Sequence, residues 1–396
     1  MKKLAERALT ITPSVTLSID TKAKQMAAKG IKVINFGVGE PDFDTPTPIA
    51  NAGIVAIQAG QTRYTPASGT EKLRQAICDK LSQENGLAYS PTQIVVSNGA
   101  KHSIYNALLA LCDPGDEVII PTPYWVSYPE MVKMAGGVPK FLATREEEDF
   151  KLRPADLSAA ITPRTKALIL NSPSNPTGMV YAESELRTIA DICVQHQIYV
   201  IADEIYEKLL YDGARHISIA SFGADIKDLA IVVNGMSKAY AMTGWRIGYT
   251  ASNSTLAAAM GSLQSHATSN PNSIAQAASV EALSGPQDTI VTMVQEFDRR
   301  RRRMVELING LPGVSCRTPQ GAFYVMANVQ KLLGATFGSE TILDDVRLAG
   351  VMLEKAHVAV VPGSGFGVGN YIRLSYATSM ENIEEGLSRL RSFITT

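Results

Sequence analysis

The middle of the chain repeats one pattern, in which a short run rich in Val and Ile is followed by a segment typical of a helix. Such runs are typical of strands buried on both faces, as in parallel sheets covered by helices. We therefore predict an α/β fold and favour an open, doubly wound sheet. The predicted strands are QIVVSN (93–98), EVIIP (117–121), KALILNSP (166–173), YVIADE (199–204) and LAIVVNG (229–235), and helices are predicted at 101–111 and 182–196.

From about residue 290 the pattern changes, and strands and helices indicate a smaller α+β domain. The segment EFDRRRRRMVELINGLPG (296–313) predicts one long exposed helix, GAFYVMANV and YIRLSYA predict strands, and further helices are predicted at 338–356 and 380–394. We expect three parts, namely an N-terminal segment joining the small domain (1–46), a large domain (47–290) and a small C-terminal domain (291–396).

The run Arg299–Arg303 resembles a nucleic-acid-binding patch, but successive helix positions point all around the helix axis. The chain has 37 Lys and Arg against 38 Asp and Glu, a net charge of −1. This balance favours a solvated or interface helix over a nucleic-acid partner.

Composition narrows the class of protein further. No apolar run approaches the roughly 18 residues that cross a bilayer, and the N-terminus lacks the pattern of a signal peptide. The four cysteines form no CxxC pair and the five histidines show no metal-ligand spacing. We therefore expect reduced thiols, a cytoplasmic location, no membrane partner and no metal.

Each predicted strand ends in polar, glycine or aromatic residues, and ligands of open α/β sheets bind beyond the carboxyl ends of strands. Five such ends indicate a single site. The groups are Asn98–Lys101, Thr122–Trp125, Asn171–Gly178, the trio Asp203, Glu204 and Tyr206, and Gly235–Lys238.

Several cofactor classes can be excluded because their sequence motifs are absent. No strand is followed by GxGxxG, and the chain has neither a Walker A sequence nor a Gly-x-Ser-x-Gly elbow. A loop lysine (Lys238), a carboxylate ending an apolar strand (Asp203) and a nearby indole (Trp125) remain. These groups are what pyridoxal 5′-phosphate (PLP) requires, since lysine forms its Schiff base and a carboxylate pairs with its ring nitrogen.

Two further features suit the phosphate of PLP. A helix opening at Gly99-Ala100 presents backbone N–H groups with no side chain larger than a methyl in the way. Arg246, placed on the strand after Lys238, supplies a charge that can bind two oxygens.

The chain resembles the class I PLP-dependent aminotransferases of the aspartate aminotransferase fold (PLP fold type I). The resemblance covers about Pro13 to Ala377, and within the family it is to the prokaryotic aspartate aminotransferase branch. It is carried by GEPDFDTP, RYTPASGTEKLR, PYWVSYPEM, SPSNPTG, VIADEIYEKLLYDG, NGMSKAYAMTGWRIGY and YIRLSYA.

The resemblance implies a role for each matching residue. Lys238 holds PLP and moves a proton between the substrate Cα and C4′ of the cofactor, while Asp203 pairs with the ring nitrogen. Tyr206 and Asn175 bind the phenolic oxygen of the ring. The residues implied for the phosphate end are Gly99, Ala100, Lys101, Ser237, Arg246 and Tyr64, the last from the other subunit of a homodimer.

For the substrate, the resemblance implies that Arg373 binds the α-carboxylate beside Gly39, Trp125 and Asn175. Lys101, with Thr16 nearby, is expected to bind a second carboxylate. One departure is visible, because many relatives have Ser-x-Ser-Lys where this chain has Gly235-Met236-Ser237-Lys238. A serine contact to phosphate at position 235 is therefore missing.

The expected partners are amino acids and 2-oxo acids. The expected reaction is ping-pong transamination between L-aspartate and 2-oxoglutarate. Glutamate/aspartate–prephenate transamination is the alternative, and aromatic or alanine transamination or β-elimination on the same scaffold stays open. A ligand-sensing part of a transcription regulator is disfavoured, because the resemblance already begins at about residue 13.

Overall fold

The computed structural model describes residues 2–337 and 340–395. Its strands are β1 (Ile34–Asn35), β2 (Ile94–Ser97), β3 (Glu117–Thr122), β4 (Val138–Ala143), β5 (Thr165–Asn171), β6 (Tyr199–Asp203), β7 (Ala230–Gly235), β8 (Gly248–Ala251), β9 (Ser315–Cys316), β10 (Tyr324–Asn328), β11 (Thr336–Phe337), β12 (Glu340–Thr341), β13 (Val358–Ala359), β14 (Val361–Pro362) and β15 (Tyr371–Ser375). Its α-helices are α1 (Glu6–Thr10), α2 (Val15–Ala28), α3 (Thr47–Gln58), α4 (Glu71–Asn85), α5 (Ala100–Leu111), α6 (Tyr128–Met134), α7 (Pro154–Ala160), α8 (Glu183–His196), α9 (Ala224–Leu229), α10 (Ser254–Ala267), α11 (Ser273–Ser284), α12 (Asp288–Asn309), α13 (Asp345–Val351) and α14 (Met380–Thr395).

A seven-stranded sheet with the order β2-β8-β7-β6-β5-β3-β4 forms the centre of the fold. The strands from β7 to β4 are mutually parallel, whereas β8 runs antiparallel to both of its neighbours. Helices cover both faces, and the residues of β7 are all buried. The predicted mostly parallel, doubly wound α/β sheet is confirmed, and the carboxyl ends of β5, β6 and β7 lie side by side.

The C-terminal part contains a four-stranded antiparallel sheet with the order β14-β15-β10-β9, packed beside α12 and α14. The two predicted strands and the helix at 380–394 are confirmed as β10, β15 and α14. The predicted helix at 338–356 is wrong in its extent, since 340–341 form β12 and α13 begins only at Asp345. Its residues 338 and 339 lie outside the described residues. The division of the chain at residues 46 and 290 stays a prediction.

The long helix predicted within 296–313 is confirmed as α12, but its predicted exposure is wrong. Helix α12 begins at Asp288, and one of its faces is buried, including Arg300 and Arg301. Arg301 is 1% exposed because Asp298 and Asp212 pair with its guanidinium and Pro319 accepts a hydrogen bond from it. Arginine is tolerated in such positions when its charge and its donors all find partners.

A second buried ionic group lies beneath β6 and β7, where the Lys80 ammonium of α4 pairs with the Glu207 carboxylate. The Glu207 carboxylate also accepts hydrogen bonds from Asn85 and Asn234, at 3.0 Å and 2.7 Å. Burial alone would raise the pKa of Glu207, but Lys80 outweighs it, and the pKa falls to about 2. Glu207 is therefore a buried carboxylate whose charge is balanced chiefly by Lys80, with a smaller contribution from His216.

Two further sequence predictions concern the thiols and membrane crossing. All four cysteines are free thiols, and three of them are buried. Among the helices described here, none combines the length and the apolar composition that a bilayer crossing requires.

Replacing Lys80 with methionine (Lys80→Met) should lower the free energy of unfolding by about 3–5 kcal/mol, because Glu207 would remain buried without its cation. The control is Arg187→Met, which removes an exposed pair with Glu183 and should cost less than about 1 kcal/mol. Urea unfolding of both variants measures the difference. Equal urea midpoints for the two variants would contradict the role given to Lys80.

Candidate active site

A cavity of about 690 Å³ lies at the carboxyl ends of β5, β6 and β7. It brings together residues from the N-terminal segment, the large sheet and the C-terminal sheet. Of the fourteen predicted site residues, twelve line it: Thr16, Gly39, Ala100, Lys101, Trp125, Asn175, Asp203, Tyr206, Ser237, Lys238, Arg246 and Arg373. Gly99 lies directly behind this wall, and Tyr64 lies outside it.

Lys238 follows the end of β7 by three residues and points into the cavity. Its Nζ donates a hydrogen bond to the carbonyl oxygen of Gly39 at 2.5 Å. Burial lowers the pKa of Lys238 to about 8, against the opposing charge of Glu40 and with the help of Arg246 and Arg373. A useful fraction of this amine is therefore neutral and nucleophilic near physiological pH.

Asp203 is the last residue of β6 and is 4% exposed. Its Oδ2 accepts a hydrogen bond from the Tyr128 hydroxyl at 2.6 Å, and its Oδ1 accepts one from the backbone N–H of Ile205 at 3.3 Å. Burial raises the pKa of Asp203 to about 6, although both hydrogen bonds oppose the rise. A cationic ring nitrogen would provide the charge partner that this carboxylate needs.

The helix α5 begins at Ala100, and none of the described side chains caps it. Gly99 has φ +86°, and a Cβ there would lie 2.2 Å from Nη2 of Arg246, so only glycine fits. Arg246 donates to the carbonyl oxygens of Thr243 and Asn98, at 2.8 Å and 3.3 Å. The open helix end and the guanidinium together form a place for an anion.

The position predicted for Arg246 is wrong in one respect. The residue does not lie on a strand, because β8 begins only at Gly248. Arg246 ends a short 3₁₀ turn (Thr243–Trp245) and has φ +58°, a left-handed conformation. This turn directs its side chain back toward Gly99.

Arg373 on β15 is 2% exposed and faces the cavity. It donates to Oδ1 of Asn175 at 3.0 Å and to the carbonyl oxygen of Gly37 at 2.9 Å. Its Nε is buried and finds no hydrogen-bond partner among the described residues, and no described carboxylate pairs with it. A buried cation in this situation requires an anionic ligand.

The sequence prediction missed two tyrosines of this site. Tyr128 bonds Asp203, and the Tyr324 hydroxyl lies 3.0 Å from that of Tyr206. The ring of Tyr324 also lies 4.3 Å from the guanidinium of Arg373, in a cation–π contact. The sequence features that could have indicated these two tyrosines are the repeated aromatics of PYWVSY and the tyrosine that begins the strand in GAFYV.

Lys101 lies in the first turn of α5, with its Nζ 4.9 Å from the centroid of the Trp125 ring. Desolvation and the nearby Arg246 lower the pKa of Lys101. Thr16, on α2, lines the same part of the cavity, and its hydroxyl lies 2.8 Å from that of Ser14. Lys101 is therefore a further basic residue in the cavity that also contains Arg373.

The missing serine at position 235 has a structural explanation. A Cβ at Gly235 would lie 2.7 Å from the carbonyl oxygen of Ile247 and 2.8 Å from the Cα of Gly248. Both are backbone atoms of the neighbouring strand region, so they cannot move aside cheaply. The close approach of β7 and β8 excludes a side chain there, whereas Ser237 is accommodated in the cavity wall.

Residues 31–390 match the family model described as aminotransferase class I and II. The chain belongs to this family. It is 48% identical over 392 residues to an aspartate aminotransferase of Geobacillus stearothermophilus, with 99% of each chain covered. It is 47% identical over 395 residues to an aspartate/prephenate aminotransferase of Cereibacter sphaeroides, again with 99% of each covered.

The fold comparison agrees with the family assignment. The crystal structure of the aspartate aminotransferase from Rhizobium meliloti superposes with a TM-score of 0.97 at 44% identity, covering 100% of this chain and 99% of that one. The family and fold predicted from the sequence are confirmed. The roles of the individual site residues stay predictions.

Gly235→Ala should lower the free energy of unfolding of this aminotransferase by about 1–3 kcal/mol, because the new methyl group meets backbone atoms. Gly244→Ala is the matched control, since a Cβ there meets open space and its φ is not positive. Thermal unfolding compares them. If both variants melt at the temperature of the wild type, the crowding at Gly235 is refuted.

Proposed function

We propose that this aminotransferase uses PLP to transfer the amino group of L-aspartate to 2-oxoglutarate, giving oxaloacetate and L-glutamate. One juxtaposition carries the proposal, since a lysine with a pKa of about 8 shares its cavity with a buried arginine that pairs with no carboxylate of the described residues. The first group suits a cofactor aldehyde, and the second suits a substrate carboxylate.

The residues that line or adjoin the cavity suit each part of PLP. The open N-terminus of α5, the cradle at Gly99 and the guanidinium of Arg246 suit its phosphate, and Ser237 adds a hydroxyl nearby. The carboxylate of Asp203 suits its ring nitrogen, and the indole of Trp125 offers a flat surface. When bound, the cofactor would supply a conjugated ring that accepts the electron pair left at the substrate Cα.

The chain then has three tasks in the reaction. Lys238 would hold the cofactor and, when its amine is free, would move a proton between the substrate Cα and C4′ of the cofactor. Asp203 would pair with the ring nitrogen, and Tyr206 with Asn175 would hydrogen-bond the ring oxygen. Burial holds the pKa of the Tyr206 phenol well above its ordinary value, so this residue serves as a neutral donor.

Two basic residues of the cavity, Arg373 and Lys101, favour a dicarboxylate. We assign Arg373 to the α-carboxylate, because a guanidinium binds a carboxylate with two parallel hydrogen bonds. We assign Lys101, with Thr16, to the distal carboxylate. Aspartate and 2-oxoglutarate both carry two carboxylates and therefore fit the same pair.

A second candidate substrate is prephenate, which the name of the Cereibacter sphaeroides relative includes. The cavity is also lined by the apolar side chains of Leu17, Ala23, Ala27 and Val33. Apolar lining of this kind would suit the carbon ring of prephenate. Comparing turnover with oxaloacetate and with prephenate separates the two substrates, and activity with neither would refute both.

We also infer a homodimer in which Tyr64 completes the phosphate site of the other subunit. In a single chain Tyr64 is 91% exposed, and the helix α3 exposes Ile54, Val55 and Ile57. An exposed apolar face of this kind is suited to a second copy of the chain.

The four free thiols support a cytoplasmic location.

Lys238→Ala should abolish both the visible absorbance of the bound cofactor and transamination, because Lys238 is the amine to which we assign the Schiff base. Lys72→Ala removes an exposed lysine and should change neither. In wild-type protein freed of cofactor, the rate of recombination with PLP should rise with pH around a midpoint near 8, since the neutral amine is the reactive form. A midpoint near the ordinary lysine value of about 10.4 would contradict this account.

Lys101→Ala should lower kcat/KM for aspartate by about 10- to 100-fold, the cost of a lost charge-assisted hydrogen bond. Turnover of L-alanine, which has no distal carboxylate, should change by less than about threefold. The measurement is steady-state kinetics with both donors, with Lys72→Ala as the control. An equal loss for both donors would show that Lys101 does not bind the distal carboxylate.

A further inference from the structure

The segment from Gly37 to Phe43 supplies two backbone acceptors to the active site. The carbonyl oxygen of Gly37 accepts a hydrogen bond from Arg373 at 2.9 Å, and that of Gly39 accepts one from Lys238 at 2.5 Å. The segment lies between β1 and α3 and has no regular secondary structure. The orientation of both cations therefore depends on how firmly this irregular segment is held.

The far end of the segment is held by an arginine of α12. Nη1 of Arg300 donates to Oδ1 of Asp42 at 2.7 Å, and its Nε donates to Oε1 of Glu296 at 2.8 Å. The guanidinium also lies 5.2 Å from the ring centroid of Phe43 and 5.8 Å from that of Phe297. These contacts leave its side chain 9% exposed.

The two aromatic rings strengthen this attachment. Phe43 and Phe297 meet edge to face with their centroids 5.3 Å apart, so the segment also packs on α12 through an apolar contact. Glu40, in the middle of the segment, accepts a hydrogen bond from Thr243 at 2.8 Å, but this contact is exposed. Arg300 therefore makes a part-buried polar contact between the segment and α12.

We propose that Arg300 is a positioning residue that, through Asp42, fixes the carbonyl groups of Gly37 and Gly39 against Arg373 and Lys238. The proposal rests on the proposed function, because it assigns a purpose to the orientation of those two cations. Neither Arg300 nor Asp42 lines the cavity, so both act through the backbone of the segment. A lysine cannot replace Arg300, since it lacks the planar group that reaches Asp42 and Glu296 together and packs on the rings.

The arginine run offers a matched control. Arg299 also pairs with Glu296, but its side chain is 59% exposed and it lies one position away on the same helix. Arg299→Lys and Arg300→Lys therefore make the same chemical change in the same helix. Asp42→Asn tests the pair from the side of the segment and does not alter the buried face of α12.

The experiment uses the enzyme with its cofactor bound and combines three measurements. Amide hydrogen exchange follows a peptide covering residues 36–44, calorimetry gives the Kd of succinate as a non-reacting dicarboxylate, and steady-state kinetics gives KM and kcat. Arg300→Lys and Asp42→Asn should speed exchange in this peptide and raise the Kd of succinate and the KM of aspartate by about 10- to 100-fold. Arg299→Lys should stay within about twofold of the wild type in all three.

The double variant Arg300→Lys, Asp42→Asn should be no worse than the more impaired single variant, because both changes break the same contact. If Arg300→Lys matches Arg299→Lys in exchange and in Kd, the proposal is overturned. A rise in exchange spread evenly over the chain, with Kd unchanged, would also overturn it. If the wild type neither binds succinate nor transaminates, the proposed function fails, while exchange at 36–44 still decides whether Arg300 holds the segment.

Discussion

Positive charge is concentrated in one cavity, and the fold brings together there the residues that carry it and those that offset it. Lys238, Arg246 and Arg373 lie close enough that the two guanidinium groups lower the pKa of the lysine. Glu40 and Asp203 offset part of this charge, and burial raises the pKa of Asp203. The cavity therefore has an excess of positive charge unless anions bind. A phosphate from PLP and two carboxylates from a dicarboxylate substrate are anions that would bind there.

This concentration of charge depends on residues that are far apart in the sequence. Gly39 precedes the large sheet, Lys238 follows β7, and Arg373 lies on the C-terminal sheet. The parallel order of β5, β6 and β7 brings their carboxyl ends to one edge, where Asn175, Asp203 and Lys238 meet. Because each part contributes a group, the site exists only when the N-terminal segment, the sheet and the C-terminal part are packed together.

The fold and most of the site could be predicted because buried strands leave a strong pattern and their ends carry the polar residues. The errors arose where a distant contact decides the outcome. Arg300 and Arg301 are polar by composition, yet Asp42 and Asp212 allow them to be buried in α12. Tyr324 was missed for the same reason, since its contact with Tyr206 joins residues 118 positions apart.

The cation–π contact between Lys101 and Trp125 has an optical consequence. The chain has two tryptophans, and one of them, Trp125, contacts Lys101 and is also the indole proposed to face the cofactor ring. A carboxylate that draws the ammonium away from the indole changes the electric field on that chromophore. If Lys101 binds the distal carboxylate as proposed, the emission of Trp125 would report occupancy at that end of the cavity without any label.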